Sequence, residues 1–327
     1  MGVKFKDITH PEKIEMKNLD NNVLTVDASN LIYKFLTTMR QGDGTPLRDL
    51  NGNITSHLNG ILFQTATLIE QNIKPIYVFD GKAPELKQKT QQERIEVKKE
   101  SEQKYQEALE LGDEAKARKY AARTAHLNRE IIESSKKLLT LMGIPYVQSK
   151  TEGEAQASYM ANQGDAWAVV SQDYDCLLFG APRILRNFKL TKTNTDIQLL
   201  QLQKTLDELN LTRNQLVDIA ILVGTDFNDG IYGVGAKTAI KLMHKYGSFE
   251  SIVKNKNYDL DCDVDEIREI FLNPDVVRNY DIEFRKPQKD KLIDFLCGEH
   301  DFDEIRTQSA IKKLQHKAAQ TSLENWF

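Results

Sequence analysis

The chain has 327 residues, 40% hydrophobic and 28% charged, with a formal net charge of −4. These values exclude a disordered or collagenous chain and leave a soluble globular protein long enough for one large domain or two. Cys176, Cys262 and Cys297 are too few and too scattered for a disulfide framework or a thiolate zinc site, and no HExxH pair occurs, so a metal would be held by oxygen ligands.

No apolar run approaches the ~18 residues of a membrane span. Met1-Gly2-Val3-Lys4-Phe5-Lys6 lacks the apolar core of a secretion signal, and Lys6 stands where myristoylation needs Ser or Thr. The acidic balance argues weakly against nucleic-acid binding, but a cluster of acids can hide a basic face elsewhere.

In chain order, residues 22–28 read as a first strand, with Val23-Leu24-Thr25-Val26 running into Asp27. A helix over 30–40 follows, with Leu31, Phe35 and Leu36 at helical spacing. Gln41 to Pro46 form a turn-rich loop, and a second helix covers 57–71. Pro75-Ile76-Tyr77-Val78-Phe79 is a second strand and ends in Asp80, giving a β-α-β start with a right-handed crossover.

From Glu85 to Arg129 the chain is charged, poor in glycine and proline, and broken into two helical arms near Ala108 to Asp113. A solvated helical pair laced by charge pairs accounts for most of this composition. An arch beside the acids is the sharper reading, helped by Lys87, Lys89, Arg94, Lys98 and Lys99.

A helix over 127–142 leads to a third strand at Ile144-Pro145-Tyr146-Val147, and Thr151 opens a helix to about Asn162. Ala166-Trp167-Ala168-Val169-Val170 is a further apolar strand running through Ser171-Gln172 into Asp173 and Asp175. Residues 184–188 read as another strand. The remainder reads as mainly helical, with helices over 212–223, 236–246 and beyond 265.

Three apolar strands therefore end in acids. A buried parallel strand explains the apolar half. Folding does not explain the acids, which repel one another at the carboxyl edge of a sheet, where open α/β folds place their sites. The candidates are Asp27, Asp80, Glu152, Glu154, Asp173, Asp175 and Asp226. Such a set suits hard divalent cations, and a pair of ions needs several carboxylates. Each acid also has a local explanation. Thr151-x-x-Glu154 is a capping box, Glu152 favours a helix N-terminus, Asp27 can cap the next helix, and Asp226 can sit in a turn with Gly224 and Asn228.

Gly230-Ile231-Tyr232-Gly233-Val234-Gly235-Ala236-Lys237 follows an apolar helix, so it is not a dinucleotide fingerprint. A helix, a glycine hairpin and a second helix can bind a phosphate backbone, with Lys237 adding a positive charge. An ordinary turn between helices is an equal reading. In the terminal Gln320-Thr321-Ser322-Leu323-Glu324-Asn325-Trp326-Phe327, the side chains of Leu323, Trp326 and Phe327 share one side of a helical turn. They dock on this chain's own core or anchor in another protein's pocket.

Taken together, the sequence closely resembles the flap endonucleases, structure-specific 5′ nucleases of DNA replication and repair, along essentially its whole length. The motifs are Val26-Asp27-Ala28-Ser29, Tyr77-Val78-Phe79-Asp80-Gly81-Lys82, Glu152-Gly153-Glu154-Ala155, Gln172-Asp173-Tyr174-Asp175, Gly224-Thr225-Asp226-Phe227 and the glycine hairpin. The resemblance implies a mostly parallel twisted α/β sheet with helices on both faces, a PIN-like nuclease fold. It divides the chain into nuclease parts at 1–84 and 130–228, an arch at 85–129, a helix–two-turn–helix region at 229–315 and a clamp-binding tail at 316–327.

For the site, the resemblance implies that Asp27, Asp80, Glu152 and Glu154 serve one Mg²⁺ and Asp173, Asp175 and Asp226 a second, with Mn²⁺ as a substitute. Lys87 and Arg94, on a gateway helix, match the basic pair at the scissile phosphate, and Tyr33 the tyrosine that stacks near the cut. Arg40, Thr55, Gly230, Gly233, Gly235 and Lys237 are expected to contact DNA, with K⁺ at the hairpin. Thr55-Ser56-His57-Leu58 matches the segment near a pocket for a one-nucleotide 3′ flap. Gln320, Leu323, Trp326 and Phe327 match the sliding-clamp box. The chain stops at Phe327 without the basic extension of eukaryotic members, which looks archaeal. A cytoplasmic monomer acting on branched DNA is expected, with no membrane partner. A sister nuclease cutting bubbles, junctions or ends, or a catalytically silent clamp-bound scaffold, are the rival readings.

Overall fold

The computed structural model describes residues 2–42, 44–82, 84–87, 92, 95–97, 99–101, 103–105, 107, 120, 126–188, 196–260 and 262–315. Arg94, most of the expected arch and the whole clamp tail, including Gln320, Leu323, Trp326 and Phe327, lie outside these residues.

One sheet of seven strands organises the rest: β1 Glu12–Ile14, β2 Val23–Asp27, β3 Lys74–Phe79, β4 Tyr146–Gln148, β5 Ala168–Val170, β6 Arg183–Arg186 and β7 Ile197–Gln201, in the order β1-β7-β6-β5-β2-β3-β4. The run from β6 to β4 is parallel, whereas β1 and β7 close one edge antiparallel. β7 falls in a stretch read above as helical. Its short apolar run is ambiguous by periodicity and passes directly into the Leu202–Leu209 helix, and antiparallel pairing with β6 decides it.

The sheet is covered on both faces, and β3 shows why its sequence is apolar throughout. Ile76 and Val78 join a core with the Gly153–Gln163 and Arg213–Val223 helices. Tyr77 and Phe79 point the other way, into a core with the Ala28–Thr38, Ser56–Glu70, Arg129–Met142 and Glu304–Gln315 helices. The fully buried Tyr77 hydroxyl is satisfied by Thr65 Oγ1 at 2.7 Å.

β5, β2 and β3 are adjacent and parallel, so their carboxyl ends share one edge. The chain goes from β2 to β3 and β4 on one side and returns to β5 on the other. The gap between β2 and β5 is thus a switch point, where crossover connections leave in opposite directions and open a crevice. No described helix is long and apolar enough to cross a membrane.

Candidate active site

Asp27 is the last residue of β2 and the N-cap of the following helix, its Oδ1 accepting from Asn30 N at 3.0 Å. It therefore serves the helix and faces the crevice at once. Asp80 follows β3 directly and accepts from Gly153 N at 2.7 Å, which ties the end of β3 to the start of the Gly153–Gln163 helix.

That helix does not use the capping box that Thr151-x-x-Glu154 offers. Its N-cap is Glu152, without a side-chain cap bond. Glu154 turns instead to Ser171 Oγ, which donates to its Oε1 at 2.5 Å. Ser171 Oγ also accepts from Asp173 N at 3.0 Å, so one hydroxyl links two acids. β5 ends at Val170, and the chain turns through 171–174 before Asp175 opens the short Asp175–Leu178 helix. Asp173 and Asp175 thus stand on a turn beyond the strand rather than on it.

Oxygens of Glu154, Asp173 and Asp175 lie within 4.8 Å of one another. Asp226, after the Arg213–Val223 helix, is instead drawn toward Glu152 by a shared cation. Lys87 Nζ lies 2.5 Å from Glu152 Oε2 and 3.2 Å from Asp226 Oδ2, and 6.0 Å from the Phe227 ring centre. Lys87 sits in a single turn, Glu85–Lys87, with its side chain 14% exposed.

The electrostatics follow from burial and crowding. Burial and then Asp80 push Asp27 up to about 7, and burial and then Asp173 push Asp175 up to about 8. Glu154 is pushed well above the usual carboxylate range by burial and then by Asp173, Asp27 and Asp175, so it feels charges on both sides of the crevice. Burial also raises Glu152, against the pull of Lys87. Burial alone would lower Lys87, but Glu152 and Asp226 outweigh it and hold the ammonium well above its ordinary value. An all-oxygen set of crowded, mutually repelling carboxylates, ranging from buried Asp27, Asp175 and Asp226 to exposed Asp80, fits hard divalent cations, which remove the repulsion.

A pH dependence results. Asp27 and Asp175 have folded values above the ordinary ~3.9 of an aspartate. The folded state then binds more protons than the unfolded chain between about pH 4 and pH 8, so stability falls as pH rises through that window. Melting temperatures of metal-free protein are expected to drop from about pH 5 to pH 8, and Mg²⁺ to reverse the drop at the upper end. A flat or rising metal-free profile would contradict this electrostatic picture.

Tyr33 is exposed on the helix that Asp27 caps. Arg40 is held by its own turn, donating to Thr37 O at 3.2 Å and Gly44 O at 2.8 Å. Thr55 is buried and lines a 210 Å³ cavity with Arg48, Asn59, Phe63, His300 and Arg306. Gly230 takes φ 72° against the backbone of Val223 and Gly224, where a Cβ would come within 2.4 Å, so the hairpin stem admits only glycine. Gly233 and Gly235 face open space, and Lys237 is exposed in the first turn of the Ala236–Tyr246 helix.

Sequence reasoning missed three contributors. Gly2 N donates to Asp173 Oδ2 at 3.0 Å, Val3 N donates to Asp175 Oδ1 at 2.8 Å, and Ser171 joins Glu154 to Asp173. Ser171 was detectable as the start of a Ser-x-Asp turn. The other two act through backbone amides and leave no trace in residue type.

The family pattern described as XPG N-terminal domain matches residues 1–101, and that described as XPG I-region matches 143–226. The chain is similar to flap endonuclease 1 of Methanosphaera stadtmanae, 71% identical over 328 residues spanning 100% of both chains. It is 46% identical to flap endonuclease 1 of Pyrococcus furiosus over 342 residues, 100% of this chain and 99% of the other. Among solved structures, flap endonuclease-1 from Methanococcus jannaschii superposes with a TM-score of 0.79 at 43% identity, covering 98% of this chain and 100% of that one. The catalytic core of Rad2 in complex with a DNA substrate shares the fold at TM-score 0.75 and 21% identity, covering 96% of this chain and 100% of that one. Identity at these levels over the full length, in a chain whose strand ends gather the acids described, means that it belongs to the flap endonuclease family.

Proposed function

We propose that this chain is a structure-specific endonuclease that removes 5′ flaps at single-strand/double-strand junctions, with accompanying 5′–3′ exonuclease activity. The observation that carries the reading is the convergence of seven carboxylates and Lys87 on one sheet edge in a chain of this family. Asp27, Asp80, Glu152 and Glu154 would hold one Mg²⁺ and Asp173, Asp175 and Asp226 another, with Glu154 between the two groups. Such ions, or Mn²⁺ in their place, would supply Lewis acidity to an attacking water and to the phosphate.

The chain's own groups position and neutralise. Lys87 is a buried cation beside the acids and would counter charge on the scissile phosphate, as would Arg94. Tyr33 would stack on a base next to the cut. The hairpin at Gly230, Gly233, Gly235 and Lys237, with a bound K⁺, would hold the duplex backbone, which lacks sequence information, so selection is by shape. A single-stranded 5′ end would pass the 85–129 arch. Hydrolysis would leave a 5′-phosphate and a 3′-hydroxyl. The biological setting is Okazaki-fragment maturation and repair by a monomer in an archaeal cytoplasm.

A panel of flap, nick, bubble and four-way-junction DNA with Mg²⁺ tests the reading. The 5′ flap is expected to be cut fastest. Faster cutting of bubbles or four-way junctions would assign a sister nuclease, and no cleavage at all a silent scaffold.

Two further parts have their own tests. The cavity lined by Thr55 and Arg306 is proposed to seat a one-nucleotide 3′ flap, with the Arg306 guanidinium 5.0 Å from the Phe63 ring. Arg306→Ala is expected to abolish the preference for substrates carrying that 3′ nucleotide while single-flap cutting changes about twofold or less, since it removes one charged contact. An unchanged preference would unseat the assignment. The 320–327 segment is proposed to bind a sliding clamp. Its deletion is expected to remove clamp stimulation and spare basal cleavage, and a parallel loss of basal cleavage would place the segment with the nuclease core.

A further inference from the structure

The tip of the glycine hairpin carries a side chain that phosphate binding does not need. Residues Ile231, Tyr232, Gly233 and Val234 form a tight turn, closed by Val234 N donating to Ile231 O at 3.0 Å. Gly233 takes φ 79° while Tyr232 stays out of the left-handed region, which makes this a type II turn with glycine where that turn requires it. Both ends are fixed. Ile231 N donates to Leu222 O at 2.8 Å, and Ile231 and Val234 pack into the core with the Arg213–Val223 helix. Tyr232, between them, is fully exposed.

Its surroundings suit a nucleic-acid backbone. The Ala236–Tyr246 helix begins just after the turn, and its N-cap Gly235 makes no side-chain cap bond. Lys237, Thr238 and Lys241 are exposed along its first turns. Amides and cations suffice for phosphates, whereas an aromatic ring has nothing to offer them. Single exposed apolar residues are common. This one is held on a rigid turn beside groups of that chemistry, so little freedom is lost when it makes a contact. In a duplex the base faces are stacked away, and a ring beside the phosphates meets the deoxyribose. We infer that Tyr232 packs its ring on a sugar of the duplex next to the phosphates held by the hairpin, an uncharged contact that sustains duplex affinity when salt screens the lysines. Tyr232 is a binding residue, not a catalytic one, and the inference rests on the duplex-holding role proposed for the hairpin.

Salt separates the two kinds of contact. Each neutralised phosphate releases counterions and so weakens as salt rises, whereas burial of a ring does not. Binding of the full chain to labelled 5′-flap DNA is followed by fluorescence anisotropy in chelator, with K⁺ constant and NaCl varied from about 50 to 300 mM. Tyr232→Ala is expected to weaken binding roughly 5- to 10-fold at every salt concentration, with the slope of log affinity against log salt unchanged. Tyr232→Phe keeps the ring and should stay within about twofold of the parent chain. Tyr232→Lys should regain affinity at low salt alone and steepen the slope by about 0.9, the value for one more phosphate. Lys237→Ala, the charged comparison, should flatten the slope by a similar amount. Single-stranded DNA, which does not need the hairpin, should bind Tyr232→Ala as it binds the parent. Because the side chain is fully exposed, the Tyr232 variants should melt with the parent. Parent-like flap binding by Tyr232→Ala while Lys237→Ala weakens, a Tyr232→Ala loss that vanishes at high salt, an equal loss in Tyr232→Phe, or an equal loss on single-stranded DNA would overturn the ring contact. Parent-like affinity and slope in both Tyr232→Ala and Lys237→Ala would instead remove the hairpin's duplex-holding role itself.

Discussion

Asp173→Asn is expected to lower flap cleavage by roughly 10³-fold or more, about 4 kcal/mol of transition-state stabilisation, without unfolding the chain. Asparagine keeps the shape and loses the charge that a divalent cation needs. The effect on the fold is set by two opposing changes. Glu154 and Asp175 both feel Asp173 as a repelling charge, so its removal relaxes the metal-free site. Against this, Asp173 accepts from both Gly2 N and Tyr174 N, and an amide presents its own N–H to one of those donors. The mispaired donor costs about 1–3 kcal/mol and the relieved repulsion offsets it, so the metal-free melting temperature should move by only a few degrees. Single-turnover cleavage and a thermal melt check both halves. Near-parental cleavage would remove Asp173 from the catalytic centre.

Lys87→Ala is expected to slow cleavage by roughly 10²–10³-fold, the range for removing one preorganised charge-stabilising donor. DNA affinity should change little, because one buried ammonium adds little to the many backbone contacts of a duplex. A distinctive second effect comes from the ion pairs. Without substrate, Lys87 is shared by Glu152 and Asp226, and its removal frees both carboxylates. The variant should therefore bind divalent cations at least as tightly as the parent while cutting far more slowly. Equal losses in cleavage and DNA binding would make Lys87 a simple phosphate anchor.

How much of this could be read from the sequence varied with the physics of each part. The acids at the ends of β2 and β3 were legible because a strand buried on both faces must be apolar, so an acid ending it stands out. Asp173 and Asp175 were legible as acids but not as members of a turn, since β5 stops at Val170. β1 and β7 were missed, because short edge strands make most of their case through pairing rather than pattern. The capping box at Thr151 was a sound local inference, and it lost to the hydrogen bond between Glu154 and Ser171, which only the folded chain creates. The grouping of Glu154 with Asp173 and Asp175 in one cluster, and of Asp226 with Lys87, likewise depends on side-chain directions. The amides of Gly2 and Val3 lay beyond any reading by residue type.

The central claim is that the acids gathered at this sheet edge hold the divalent cations on which flap hydrolysis depends. The most direct measurement is the single-turnover rate of 5′-flap cleavage as Mg²⁺ is titrated into metal-free protein. The rate is expected to be nil in chelator and to rise with a dependence steeper than first order, as required when two ions must bind. Cleavage that persists in chelator, or a full rate reached with one bound ion per chain, would contradict it.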